Sequence, residues 1–402
     1  TNELLASGVL SGLRNEVVLI KGARVFHFDD ITDVLELKVH ETILEINLNA
    51  LTANLNYYRN KLKPETKMVC MVKASAYGAG SFEVAKTLED QRVDYLAVAV
   101  ADEGADLRKA GIHCPIIIMD PEVNAFKTMF DYKLEPEVYS FQMLEELIKA
   151  AEREGAANVP VHIKVDTGMH RLGFASSDMP RLAERLHRQS TVIPRSIFSH
   201  LVGSDSDRFD PFTRRQIETF EAAAADLQKE FNHKIIRHIC NTAGIERYPG
   251  AQFDMVRLGL GLYGIDPYTN RILHNVTTLK TTILQIHDVP ADETVGYSRK
   301  GVLSRDSRIA TLPIGYADGL NRRLGNGHAY CLVNGKKAPY VGNICMDVCM
   351  IDVTDIDCKE GDKAIIFGDD LPVTVLSDVL ETIPYEILTS VSGRVKRIYY
   401  QD

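Results

Sequence analysis

Between about Thr66 and Gly264, short apolar runs alternate with longer stretches whose apolar residues recur every three or four positions. The short runs read as buried strands and the longer stretches as amphipathic helices. Eight runs fit strands: MVCMVKAS from Met68, YLAVAVA from Tyr95, PIIIMD from Pro115, LEPEVYS from Leu134, VPVHIKVD from Val159, PRSIFSH from Pro194, IIRHICN from Ile235 and MVRLGLGLYG from Met255. SFEVAKTLED, FQMLEELIKAAER and TRRQIETFEAAAADLQKEF between them carry the helical period. Eight strand–helix units in roughly 200 residues predict an α/β fold of the (β/α)8 barrel type rather than an open doubly wound sheet. Such a barrel is expected to carry its chemistry at the C-terminal ends of its strands.

After about Asn275 the pattern changes to alternating, β-branched segments such as TTLKTTILQIHDV, SRIATLPIGYA and DVCMIDVTDI, with one late helical pattern, TVLSDVLETI. A barrel over residues 41–275 followed by a mainly β domain over 276–402 is therefore expected, with residues 1–40 standing apart. The junction has no low-complexity linker, so the two domains are expected to share a packed interface. At 402 residues, with 45% hydrophobic and 25% charged content, the chain is an ordinary globular protein with no run long enough for a membrane span. A net charge of -9 argues against nucleic-acid or anionic-lipid partners. The seven cysteines are odd in number and lack C-x-x-C spacing, which reads as reduced thiols in a cytoplasmic protein without a metal site.

The polar residues at the strand ends carry the candidate chemistry. Lys73 closes the first strand in MVKASAYGAG, ahead of Tyr77 and a glycine-rich turn suited to a phosphate. A partly desolvated lysine in such a place is suited to forming a Schiff base. The fifth strand ends in HIKVDTGMHRLGF with Lys164, Asp166 and Arg171, the sixth in His200, the seventh in Asn241 and Thr242, and the eighth carries Arg257. Gly259, Gly261 and Gly264 form G-x-G-x-x-G, but no helix or strand-end acid follows as a dinucleotide site requires. The backbone at Gly259 and Leu260 remains suited to a phosphate. In the later domain, turns present Tyr297, Tyr316 with Asp318, and Met346 with Asp347. Each has a plain structural reading as surface lysine, ion pair, helix cap or packing side chain. Their concentration on one barrel face is what those readings leave unexplained.

VKASAYGAG, KVDTGMHRLGF, FSHLVGSDS, CNTAG, VRLGLGLYGIDP, PIGYADG, VGNICMD and SGRVKR occur in the order of a known family. Over roughly Leu44 to Tyr400 the chain resembles the bacterial alanine racemases. The resemblance implies pyridoxal phosphate as cofactor, a head-to-tail homodimer with shared sites, and L-alanine/D-alanine interconversion supplying peptidoglycan synthesis. It implies Lys73 as covalent anchor and one base, and Tyr297 from the other subunit as the second. A tyrosine needs its phenolate stabilised to act as a base, a role that falls to His200 and Arg257. Arg257 is expected at the pyridine nitrogen, where a permanent cation disfavours ring protonation and so suppresses transamination. Tyr77, Asn241, Thr242, Gly259, Leu260 and Tyr385 are implied around the cofactor and its phosphate, and Arg171, Met346 and Tyr316 around the substrate.

Lys164 matches a lysine often carbamylated in the family, and a carbamate there would pair with Arg171 where a second cation would be repelled, so the resemblance implies a carbamate at Lys164. Two departures stand out: Thr242 where serine is common, and His170 where glycine is frequent. Other readings of the same fold are a serine or broad-specificity racemase, a non-catalytic cofactor-binding protein, or a decarboxylase. Separately, EVVLIKGARVFHFDDI, from Glu16 to Ile31, resembles the C-terminal end of a Mur ligase, which implies a racemase fused to a ligase in a longer protein. The chain contains no G-x-x-x-x-G-K-[ST] loop, so no ligase activity is expected of it.

Overall fold

The computed structural model describes residues 41–401, together with residues 4, 7, 9, 10, 13, 18, 20 and 31. Apart from single positions, the ligase-like stretch 16–31 lies outside the described residues. The chain divides into two compact units, Thr1–Glu41 and Thr42–Asp402.

The second unit opens with strand β1 (Ile43–Asn47), and the barrel strands follow: β2 (Lys67–Met71), β3 (Tyr95–Val98), β4 (Ile116–Ile118), β5 (Glu135–Val138), β6 (Val159–Lys164), β7 (Val192–Phe198), β8 (Ile236–His238) and β9 (Met255–Leu258). Each of the eight expected runs overlaps one of β2 to β9, with β2 and β7 starting one and two residues earlier than expected. They form a parallel sheet ordered β8-β7-β6-β5-β4-β3-β2-β9. Its ends meet: the Asp254 amide donates to the Arg237 carbonyl at 3.1 Å and that of Arg257 to Cys240 at 3.0 Å, closing the ring. Helices pack outside, some of them started by a side-chain cap. Phe141–Glu154, for example, starts where Ser140 Oγ accepts from the Met143 amide at 3.2 Å and stops at Gly155, whose φ of 69° suits glycine.

The later strands are β10 (Thr277–Thr282), β11 (Gln285–Val289), β12 (Thr294–Val295), β13 (Gly301–Val302), β14 (Ser307–Leu312), β15 (Tyr330–Val333), β16 (Lys336–Val341), β17 (Cys349–Asp352), β18 (Lys363–Phe367) and β19 (Lys396–Tyr400). A nine-stranded sheet takes the order β11-β14-β17-β16-β15-β18-β10-β1-β19. The late helical pattern is the helix Val373–Leu380. β1 thus belongs to the sheet of the later residues, antiparallel to β10 and parallel to β19, although the chain enters the barrel directly after it. Its alternation buries Leu44 and Ile46 there, and Thr42 Oγ1 meets Thr281 Oγ1 at 2.9 Å. The two domains are accordingly stitched at both ends of the unit. Among the described residues, no helix is long and apolar enough to cross a membrane.

Candidate active site

Lys73 follows β2 almost directly, and the next four residues wind the wrong way: Ala74, Ser75, Ala76 and Tyr77 have φ of 51°, 53°, 52° and 55°. A left-handed turn of non-glycine residues costs on the order of 1–2 kcal/mol per residue and persists only where its surroundings fix it. Here the end of the chain does so. Arg397 Nε donates to the Gly78 carbonyl at 3.1 Å, and a Cβ on Gly80 would lie 1.7 Å from Tyr399 Oη. The SGRVKR motif therefore acts as a buttress behind the lysine.

Lys73 borders a cavity of ≈ 660 Å³ at the C-terminal end of the barrel strands, with Tyr77, Glu137, Lys164, Arg171, His200, Asn241, Thr242, Arg257, Gly259 and Tyr385 also in its wall. Arg257, 4% exposed, is held by the carbonyls of Ser199 at 2.6 Å and Ile239 at 3.2 Å, and reaches His200 Nδ1 at 3.4 Å. Burial lowers its guanidinium to about 10, still far above neutrality. Burial, then the charges of Arg257, Lys164, Arg171 and Lys73, drive His200 well below the ordinary histidine range, so its ring is neutral at pH 7.

A chain of buried hydrogen bonds extends inward from Arg257. Its Nη1 lies 2.9 Å from His238 Nδ1; His238 Nε2 lies 2.9 Å from Ser196 Oγ; Ser196 Oγ lies 2.6 Å from His162 Nδ1; and His162 Nε2 lies 2.9 Å from Glu135 Oε2. Arginine has no acceptor, so His238 Nδ1 must accept and its proton sits on Nε2. A carboxylate at His162 Nε2 requires a proton there, leaving Nδ1 to accept from the Ser196 hydroxyl. Every donor points one way, from the Arg257 cation to the Glu135 carboxylate. Sequence reasoning missed His162, Ser196 and His238; the available signal was a histidine or serine set among the apolar residues of each of three adjacent strands.

Opposite this wall lies a corner of small groups and hydroxyls. Thr242 Oγ1 accepts from the Gly259 amide at 3.0 Å, and a Cβ on Gly259 would stand 3.2 Å from Tyr77 Oη and 3.8 Å from Thr242 Oγ1. The Tyr77 ring packs on Tyr263 and Tyr385 with centroids 4.5 Å and 5.5 Å away. Asn241 is committed to its helix cap, with Oδ1 accepting from the Gly244 amide at 3.0 Å and from Ser204 Oγ at 2.8 Å. Neutral donors around an open corner, with a cationic wall and a lysine on the same cavity, fit the phosphate, ring and aldehyde of pyridoxal phosphate.

Tyr297, Tyr316 and Met346 are not part of this wall; they are 66%, 41% and 53% exposed. Tyr316 and Met346 are nevertheless neighbours, because the amides of Tyr316 and Ala317 donate to the carbonyls of Cys345 and Met346, each at 3.0 Å. Behind them Asp318, fully buried, accepts from Arg394 at 2.6 and 3.1 Å, and Arg394 also reaches Asp347 at 2.7 Å. Lys164 faces Glu137, a residue sequence reasoning did not single out, with 3.7 Å between Nζ and Oε1. Arg171 is exposed and lies on the rim.

A parallel barrel with a lysine, two arginines and a hydroxyl-lined corner at its strand ends, joined to a β domain, is an arrangement that fits a barrel enzyme of the pyridoxal phosphate class. Residues 46–267 match the alanine racemase N-terminal domain and residues 276–399 the alanine racemase C-terminal domain. The alanine racemase 2 of Caldanaerobacter subterraneus subsp. tengcongensis is 37% identical over 374 residues, covering 90% of this chain and 95% of that protein. The alanine racemase structure from Clostridium difficile 630 superposes with a TM-score of 0.86 at 34% identity, covering 90% of this chain and 97% of that one. The alanine racemase of Bartonella henselae, with covalently bound pyridoxal phosphate, gives a TM-score of 0.80 at 29% identity, covering 90% and 100%. The chain belongs to the alanine racemase family.

Proposed function

We propose that the cavity binds pyridoxal phosphate through Lys73, and that Lys73 and Tyr297 of the partner subunit are the two bases of an alanine racemase. The reaction is the interconversion of L-alanine and D-alanine. The observation that carries this reading is the gathering of Lys73, Tyr77, Arg171, His200, Arg257 and Gly259 around one cavity at the strand ends. The bound cofactor supplies an electron sink for the charge left at Cα when its proton departs.

In this reading the Lys73 amine removes or returns that proton on one face of the substrate, and the Tyr297 hydroxyl does so on the other. Two opposed bases invert the centre without turning the substrate over. Arg171 is the rim cation for the substrate carboxylate, and the Tyr77, Thr242 and Tyr385 hydroxyls are the donors for the phosphate in the corner that Gly259, lacking a side chain, leaves open. Leu260 and Asn241 shape the corner through backbone and helix cap. Arg257 would supply a fixed positive charge to the cofactor's ring nitrogen, and neutral His200 beside it accepts from Arg257 at Nδ1 and so keeps its proton on Nε2, where it can donate to an acceptor entering the cavity. The exposure of Tyr297, Tyr316 and Met346 in one subunit suits residues that complete the site of a second. D-alanine of this origin would feed peptidoglycan, and a fused ligase upstream of residue 41 is the related proposal for the N-terminal stretch.

The test is D-alanine formation from L-alanine with added pyridoxal phosphate, read by a D-amino acid oxidase coupled assay. Product that disappears in Lys73→Ala supports the reading; no product from protein loaded with cofactor would overturn it.

A further inference from the structure

Lys164, 4% exposed at the end of β6, and Glu137, 1% exposed on β5, form the deepest ionisable pair of the cavity wall. The other side of Lys164 rests on the Phe198 ring, 4.3 Å from its centroid. Lys73, Arg257 and Arg171 line the same cavity, so four cations share it with one deeply buried carboxylate; the other acids of its lining, Asp120 and Asp205, are exposed. Glu137 Oε1 has no hydrogen-bond partner among the described residues. A buried carboxylate oxygen that has a cation at 3.7 Å but no hydrogen bond is costly unless a donor comes to it.

We propose that Glu137 is the fixed anionic partner of Lys164 and Arg171, and that Lys164 stays an unmodified amine instead of becoming a carbamate. A carbamate forms when a neutral lysine amine adds to carbon dioxide and releases a proton, leaving a negative charge on the side chain. At Lys164 that charge would stand beside the Glu137 carboxylate in a wall with little water, where like charges repel strongly. The carboxylate that a carbamate would contribute is already present as Glu137. Burial pushes the Glu137 carboxyl up and the Lys164 ammonium down, and each charge partly restores the other. Oε1, ion-paired to Lys164 but without a hydrogen bond, can take one N–H of the Arg171 fork as that side chain turns inward from the rim. Glu137 is thus a positioning residue: it acts on substrate through Arg171. The role given to Arg171 rests on the racemase reading, whereas the chemical state of Lys164 does not.

The experiment uses the cofactor-loaded enzyme equilibrated with carbon-13 bicarbonate, comparing wild type with Lys164→Ala by carbon-13 NMR, together with the kinetics of Glu137→Gln and Glu137→Asp. The expected result is no bound carbamate signal in wild type. Glu137→Gln should raise KM for L-alanine about tenfold with kcat changed much less, and Glu137→Asp should recover part of the loss. Cofactor absorbance should be unchanged in both variants. A wild-type carbamate signal that vanishes in Lys164→Ala would overturn the proposal, as would a Glu137→Gln enzyme with wild-type KM. Inactivity toward alanine in every form would sink the racemase reading instead, and the carbon-13 spectrum would still decide the state of Lys164.

Discussion

Nη1 of Arg257 donates to Nδ1 of His238 across 2.9 Å inside the barrel. That single bond sets the proton positions of the chain running through Ser196 and His162 to Glu135. Ser196→Ala would leave His238 Nε2–H without its acceptor and His162 Nδ1 without its donor, both in a dry interior. The expected cost is about 2 kcal/mol or more, measured as a lower urea midpoint with an unchanged m-value. A variant as stable as wild type would show that the chain carries no energy.

Two histidines make stability fall on the acid side. His238, 1% exposed, is kept neutral by burial and then by Arg257, and His200 by burial and the surrounding cations. Both have folded values below their unfolded ones, so the unfolded chain takes up protons first as pH drops. Stability is therefore fully present above pH of about 6.5 and declines below it, by about 1.4 kcal/mol per pH unit for His238, with His200 adding in the same direction. Urea titrations between pH 7.5 and 5 check this; His238→Phe should flatten the slope.

A methyl group at Gly259 would point into the corner between Tyr77 Oη and Thr242 Oγ1, at 3.2 and 3.8 Å. Gly259→Ala should weaken cofactor binding about tenfold or more while leaving the barrel folded. The readout is the cofactor's visible absorbance during titration of the apoenzyme, and unchanged affinity would remove Gly259 from the phosphate corner.

Arg397 donates to the Gly78 carbonyl and to those of Val391, Ser392 and Val395, at 3.1, 2.8, 2.5 and 2.6 Å. A lysine has the charge but not the planar fork. Arg397→Lys should release the left-handed turn after Lys73, lowering kcat for alanine more than it lowers Tm. Protease sensitivity gained near residues 74–80 would locate the loosening; activity at wild-type level would contradict the buttress.

The barrel was legible because period-two and period-3.6 patterns are local, and each of its strands is a short apolar run bounded by turn residues. Strand-end polar residues such as Lys73, His200 and Arg257 were legible for the same reason, since the fold predicts where strand ends meet. What escaped depends on pairings remote in sequence. β1 is five residues whose partners lie at 277–280 and 396–400. Asp318 finds Arg394 only after the later domain has folded. Glu137 reads as one acid in LEPEVYS until β5 and β6 align and bring it to Lys164. Tyr297, exposed in one subunit, draws its proposed role from a second copy.

The shared two-base site is tested most directly by mixing two inactive variants. Lys73→Ala lacks the base of its own cavity, and Tyr297→Phe lacks the one it would lend to a partner. When subunits exchange freely, half the dimers are mixed and each mixed dimer holds one intact site, so activity should return to about a quarter of the wild-type rate. Both variants inactive alone, with verified exchange and no recovery on mixing, would contradict a site built from two subunits.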